Sequence, residues 1–273
     1  MYGAVCQPIA VGNITILPVF DGTARLHANM FVDNGSPADW SRHRHMLDAN
    51  EEFVVPVGGF IVRTGGRTVL LDAGVGHTSD PMFTGGAMLD SMRAYGIDPS
   101  DIDTVMVSHL HSDHMGWLEV DGQPTFGNAD IFLGAQEWQF CVEQAGFGRS
   151  RAARMSVVKD RVQLIDADNV TIAPGITTRQ TPGHTPGHTS VVVSSGSERV
   201  IVLGDALHCT AQLTETEWEV VFDTDPALAK RTRKALLLEA EQVGTSLLPC
   251  HLPGMSATRL VHADGKKQWQ FST

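Results

Sequence analysis

Residues 105–116, "VMVSHLHSDHMG", place His109, His111, Asp113 and His114 within six positions, directly after an apolar run. The chain has 12 histidines in 273 residues, so a quarter of them stand in this one short stretch. Imidazole nitrogens and a carboxylate at that density suit borderline divalent cations such as zinc. His109 and His111 alternate along an extended segment and can face one side. Asp113 and His114 follow where the chain bends and can reach a second point a few ångströms away, so the spacing predicts two neighbouring ions. Surface histidines at a strand end would produce the same short motif, but three later segments each add a ligand type after an apolar strand. They are "TPGHTPGHTS" with His184 and His188, "VIVLGDALH" with Asp205 and His208, and "SLLPCH" with His251. A carboxylate at Asp205 would be costly to bury unpaired, and a dication resolves that cost. Two cations sharing a water lower its pKa toward neutrality and present a bridging hydroxide to an electrophilic centre. Hydrolysis is therefore the expected chemistry. No G-x-S-x-G elbow offers a serine nucleophile instead.

These side chains need strands to carry them. "ITILPVFDG" and "GGFIVRTGGRTVLLDAGVG" read as strands joined by glycine turns, and "DIDTVMVSH" as a strand ending at the cluster. "ADIFLGAQEWQFCVEQAG" reads as a strand and then a helix whose Trp138, Cys141, Val142 and Ala145 form one apolar stripe. The basic stretch "RSRAARMSVVKDRV" predicts another helix with a solvated face. From residue 169 the pattern repeats, ending in a helix predicted from Asp225-Pro226 to Gly244. Strand pairs followed by a helix, twice, imply an α+β protein with two sheets packed face to face and helices outside. Residues 22–52, in which Ser36-Pro37 could open a short polar helix, hold too few apolar residues for core and are expected to form a flap or interface arm, so a homodimer is open. The whole chain, 1–273, is expected to be a single domain.

Charged residues are 19% and hydrophobic ones 42%, an ordinary balance for a soluble globular chain. A net charge of -11 repels a phosphate backbone, so nucleic acid is not an expected partner. Cys6, Cys141, Cys209 and Cys250 form no CxxC pair and read as buried free thiols. No window approaches 18 uninterrupted apolar residues, so no membrane partner is expected and the protein reads as cytoplasmic.

Taken together, His-x-His-x-Asp-His at 109–114, Gly-His-Thr-x-Gly at 183–187, Gly-Asp at 204–205, the strand-end His251 and the upstream "LLDAGVG" with Asp72 resemble the metallo-β-lactamase-fold hydrolases. The resemblance implies a four-layer αβ/βα sandwich. It implies that His109, His111 and His184 bind one metal, that Asp113, His114 and His251 bind the second, and that Asp205 bridges them. His188 would pack behind His184, and Asp72 would orient a neighbouring group. Zinc stands first as the metal, with manganese, cobalt and iron compatible. Asp113, Asp205 and His208 are expected to take part in the reaction.

Within the superfamily the chain looks closest to the methyl parathion hydrolase and acyl-homoserine lactonase branch. The lactonases place a tyrosine where this chain has His208, which could donate a hydrogen bond to the leaving oxygen or simply hold its loop. The branch implies hydrolysis of a small neutral or apolar lactone or carboxyl ester, with an organophosphate triester as alternative substrate. Readings of another class are a mono-iron persulfide dioxygenase and a non-catalytic metal-binding protein that docks a partner. Phe20, Met30, Phe31, Phe83, Met88, Trp117 and Phe222 are the expected apolar rim.

Overall fold

The computed structural model describes residues 6–33, 39–263 and 266–271. Two mixed sheets face each other. The first runs in the order Ile9–Val11, Ile14–His27, Glu52–Thr64, Arg67–Leu71, Thr104–Val107, Asp130–Gly134 and Val162–Ile165, with Phe83–Thr84 added beside Ile14–His27. The second is Thr171–Ala173, Ile176–Gln180, Thr189–Ser195, Glu198–Gly204, Thr245–Pro249, Thr258–Ala263 and Lys266–Phe271.

Alternation along the strands divides the side chains between layers. Val191, Val193, Val200 and Val202 meet Phe60, Val62, Val69, Leu71 and Met106 of the first sheet in the central core. Their neighbours Val192, Ile201 and Leu203 point outward, onto Leu236 and Ala240 at the helix Pro226–Glu239. On the other outer face Leu70, Val105, Val107, Ile131 and Leu133 pack on Met88 and Met92 of the helix Met88–Ala94 and on Met155 and Val158 of the helix Arg149–Val158. Helix, sheet, sheet, helix is the four-layer sandwich the sequence pattern implies.

Strand direction then decides where chemistry can gather. Arg67–Leu71, Thr104–Val107 and Asp130–Gly134 run parallel, so their carboxyl ends share one edge. Glu198–Gly204 and Thr245–Pro249 are likewise parallel, and Thr189–Ser195 is antiparallel with Val191 opposite Val202, which sets the 181–188 loop beside Gly204. Each ligand-type residue named above follows a strand at this edge.

Four expectations change. The segment 22–52 continues the strand Ile14–His27 and then sends Phe31, Val32 and Trp40 into a core cluster with Phe53, Val55, Trp218 and Val220. Few but large side chains suffice there: Trp40 is 5% exposed and packs, tilted by 50°, at 4.8 Å from Trp218. Its helical part, Asp39–Met46, is 3-10, and the Ser36-Pro37 start lies outside the described residues. The stripe packs on the core through Trp138, Cys141 and Val142, but an α-turn at Ala135–Trp138 runs into a π-turn at Gln139–Glu143 and Ala145, at φ 53°, leaves it. The last helix stops at Glu239, and Gly244, at φ 81°, turns the chain into the next strand. The basic stretch forms the helix Arg149–Val158 as predicted, but Arg151 lines the central cavity of the next section. Among the described residues no helix is long and apolar enough to cross a membrane.

Candidate metal centre

The strand edge brings His109, His111, Asp113, His114, His184, Asp205, His208 and His251 together. One ligand atom from each of His109, His111, His184 and Asp205 falls within 4.8 Å of the others, and so does one from each of His114, Asp205, Cys250 and His251. Asp205 belongs to both groups through different oxygens. Its Oδ2 is 3.3 Å from His184 Nε2 and 3.7 Å from His109 Nε2, while its Oδ1 is 3.2 Å from His114 Nε2 and 3.0 Å from His251 Nε2. Asp113 Oδ2 lies 3.6 Å from His114 Nε2 and 3.5 Å from His251 Nε2.

Each ring is aimed by its other nitrogen. His114 Nδ1 donates to Asp72 Oδ2 at 2.9 Å, and the same carboxylate accepts from the Ser108 amide and hydroxyl. Asp72 holds this pose at φ 61°, a left-handed conformation uncommon for a residue other than glycine. His251 Nδ1 donates to the Pro56 carbonyl at 2.9 Å, and His184 Nδ1 to Asp223 Oδ1 at 2.9 Å. His109 Nδ1 meets Ser108 Oγ at 3.0 Å. These bonds turn Nε2 of all four rings inward. His188 is the exception: its Nδ1 meets Thr181 Oγ1 at 2.8 Å and its Nε2 accepts the Asp205 amide at 3.0 Å. It props Asp205 from behind, with both nitrogens already used.

Several partners carry no sequence signal. Asp223 is tied from behind by Arg233, whose Nη2 lies 3.5 Å from Asp223 Oδ2 and whose Nε donates to the carbonyl of Ala206. Glu137 accepts from the Leu110 amide, the Thr185 hydroxyl and the Gly187 amide, and so joins the 109–114 loop to the 183–188 loop. Asp21 accepts from the amides of Val75, Gly76, Gly86 and Met88 and from the Trp117 indole, which fixes the loop after Asp72.

The donor set fits a pair of divalent cations. His109 Nε2 and His114 Nε2 are buried without a hydrogen-bond partner, a costly state that a Lewis acid relieves. Burial holds the pKa values of His109, His111 and His184 well below the ordinary imidazole range, which keeps them neutral and able to ligate. For His114 and His251 burial pulls the same way but is outweighed, by Asp205, Asp113 and Asp72 for His114 and by Cys250 and Asp205 for His251, so both are raised. Burial would raise the Asp205 carboxyl, yet His114, His251 and His208 overcome it and hold it well below the carboxylate range. A cluster that pulls protons inward in this way accepts cations in their place.

Above the cluster is a cavity of about 250 Å³. Of the seven expected rim residues, Phe31, Phe83 and Phe222 line it. Met88 and Trp117 are core, Phe20 packs against the central core, and Met30 is 62% exposed. Leu26, Phe53, Val55, Met82 and Arg151 line it in their stead. All but Arg151, which comes from the helix Arg149–Val158, belong to the long hairpin and the loop beside it, which sequence periodicity assigns to sheet without saying which face looks onto the cluster. A larger open groove of about 1010 Å³, between Asn13, Arg63, Arg67 and Ser195, holds none of the clustered residues.

Comparison with known proteins agrees with this geometry. The family model of the Metallo-beta-lactamase superfamily matches residues 55–120 and 127–251. An N-acyl homoserine lactonase from Bacillus sp is 25% identical over 221 residues, 74% of this chain and 84% of that protein. Among solved structures, AidC, a dizinc quorum-quenching lactonase in complex with a product, superposes with a TM-score of 0.85 at 22% identity, covering 98% of this chain and 97% of its own. The hydrolase AbOPH does so with a TM-score of 0.84 at 24% identity, covering 97% and 96%.

Proposed function

Because the chain belongs to the metallo-beta-lactamase superfamily, we propose that it is a dinuclear metal-dependent hydrolase of lactones or carboxyl esters. In this reading His109, His111 and His184 hold one cation, Asp113, His114 and His251 hold the other, and Asp205 is shared, with zinc as the first choice. The observation that carries it is the division of Asp205, one oxygen facing each histidine group beneath a cavity with apolar walls. When bound, such a pair supplies an activated water and polarises the substrate's carbonyl oxygen.

The chain's own residues do the rest. Leu26, Phe31, Phe53, Val55, Met82, Phe83 and Phe222 receive the apolar part of the substrate and keep bulk water out. His208 stands at the cavity with Nε2 3.4 Å from Asp205 Oδ2 and its ring edge-on to Phe31 at 5.9 Å. Neither of its nitrogens has a hydrogen-bond partner among the described residues. An imidazole so placed can hold a proton for the leaving oxygen as the ester bond breaks. Asp72, Asp223, Ser108 and the Pro56 carbonyl fix the ring orientations before substrate arrives.

The test is turnover of a γ-lactone, p-nitrophenyl acetate and paraoxon by zinc-loaded protein, with and without chelator, beside Asp205→Ala. Lactone and ester cleavage should disappear with chelator and return with zinc, and Asp205→Ala should lose at least one bound ion and nearly all turnover. Preference for paraoxon would move the assignment to phosphotriesters. One iron per chain with oxygen uptake on a persulfide, or a fully loaded and fully active Asp205→Ala, would overturn it.

A further inference from the structure

Arg151 is not accounted for by cation binding. It is the third residue of the helix Arg149–Val158, which begins at Gly148 with no side-chain cap and has no acidic residue in its first turn. The side chain reaches the same cavity as Asp113, Asp205 and His208. Its Nη1 donates to the Phe147 carbonyl at 2.6 Å, and its guanidinium carbon lies 4.9 Å from the Phe147 ring centroid. That ring packs at 4.7 Å on His111. The Nε atom is buried with no hydrogen-bond partner, and among the described residues no carboxylate lies within ion-pair distance of the side chain.

A guanidinium stays charged at any working pH, and a half-buried one with no carboxylate within ion-pair distance gains from an anion. Of the carboxylates whose field favours the Arg151 charge, Asp113 would be committed to the cations of the proposed centre and Glu137 is already bound to Leu110, Thr185 and Gly187, so neither forms an ion pair with it. An uncapped helix start adds positive field at the same place. Nη1 is already bound to a carbonyl and Nε is sealed from water, so Nη2 is the donor left to meet a carboxylate oxygen. We propose that Arg151 binds a carboxylate carried by the substrate, so that the preferred substrate is an ester or lactone with an anionic group beyond its apolar part. This rests on the hydrolase reading and narrows the substrate class of that site. Arg151 then sets specificity: the apolar wall takes the chain, the cluster takes the scissile bond, and the guanidinium fixes the far end.

Matched 4-nitrophenyl esters test it: the half-esters of glutaric, adipic and pimelic acid against the pentanoate, hexanoate and heptanoate esters. Zinc-loaded wild-type protein should favour the best half-ester over its neutral mate by roughly ten-fold in kcat/KM, as a charge-assisted hydrogen bond allows. Arg151→Met should erase most of that ratio, chiefly through KM, and Arg151→Lys should restore part of it. A purely structural role for Arg151 would lower both members of a pair alike and leave the ratio unchanged, which would overturn the proposal. Should no ester be cleaved at all, the hydrolase reading fails and binding decides the rest. Wild-type protein should then hold 4-phenylbutyrate roughly ten-fold tighter than the neutral 4-phenylbutanamide. An acid-to-amide ratio equal in wild type and Arg151→Met overturns the carboxylate site whether or not esters are cleaved.

Discussion

Asp223→Asn probes how far the cluster depends on groups outside it. Asp223 Oδ1 accepts from His184 Nδ1 at 2.9 Å, and its Oδ2 faces Arg233 Nη2 at 3.5 Å. An asparagine can offer its oxygen to only one of these two donors. If Oδ1 serves His184, the amide NH2 meets the guanidinium; if it turns, the ring loses its acceptor and the tautomer that presents Nε2. Loss of such an orienting partner costs roughly 10- to 100-fold in metal affinity, or about 1.4–2.7 kcal/mol. Arg233 is also left buried without its counter-charge, which costs about 3 kcal/mol of folding stability. Competition with a chromophoric chelator reads the zinc affinity, and urea unfolding reads the stability. The double variant Asp223→Asn/Arg233→Met separates the two, since removing both charges should recover much of the stability while the weaker zinc site remains. Wild-type affinity for both ions in Asp223→Asn would refute the claim that this carboxylate orients His184.

Two further outcomes test the scaffold. His188 is neutral in the fold because burial pushes its pKa from 6.5 down to about 4. Unfolding releases it, so between pH 6.5 and pH 4 the unfolded chain binds the extra proton and stability, whole above that window, falls as pH drops through it. From pH 7.5 to 5.5 the wild type should lose roughly 1 kcal/mol more than His188→Gln in urea unfolding, and parallel curves would show that His188 is not held neutral. A Cβ at Gly187 would sit 1.9 Å from the Glu137 amide nitrogen, so Gly187→Ala must push apart the two loops that Glu137 joins. The expected loss is about 3 kcal/mol or more in thermal unfolding, and an unchanged melting temperature would mean that the contact is not tight.

Much of the fold was legible because its signals are local. Alternation in "VVV" at 191–193 and "VIVL" at 200–203 points every second side chain to each face, and Gly65-Gly66, at φ 54° and 78°, turn the hairpin as the glycine pair predicts. The arm misled because composition counts residues and not buried area: Ala28, Phe31, Val32 and Trp40 of this segment are buried in a cluster with Phe53, Val55, Trp218 and Val220 that a polar average hides. At 135–143 the stripe found the core through Val142, but a π-turn changes the angle per residue, which a 3.6-residue pattern does not register, and Ala145 falls outside it.

The sequence by itself determined which residue types stand at which strand ends; that those ends share one edge comes from the parallel pairing of the strands that carry them. Only the tertiary structure decided which nitrogen of each ring faces inward, because that choice is made by partners far along the chain. Pro56 aims His251 across 195 positions, and Asp223 aims His184 across 39. It also decided that Arg151 reaches the cavity with no carboxylate among the described residues within ion-pair distance. A lone arginine in a basic helix looks solvated in sequence, and only packing turns it half-buried toward the cavity.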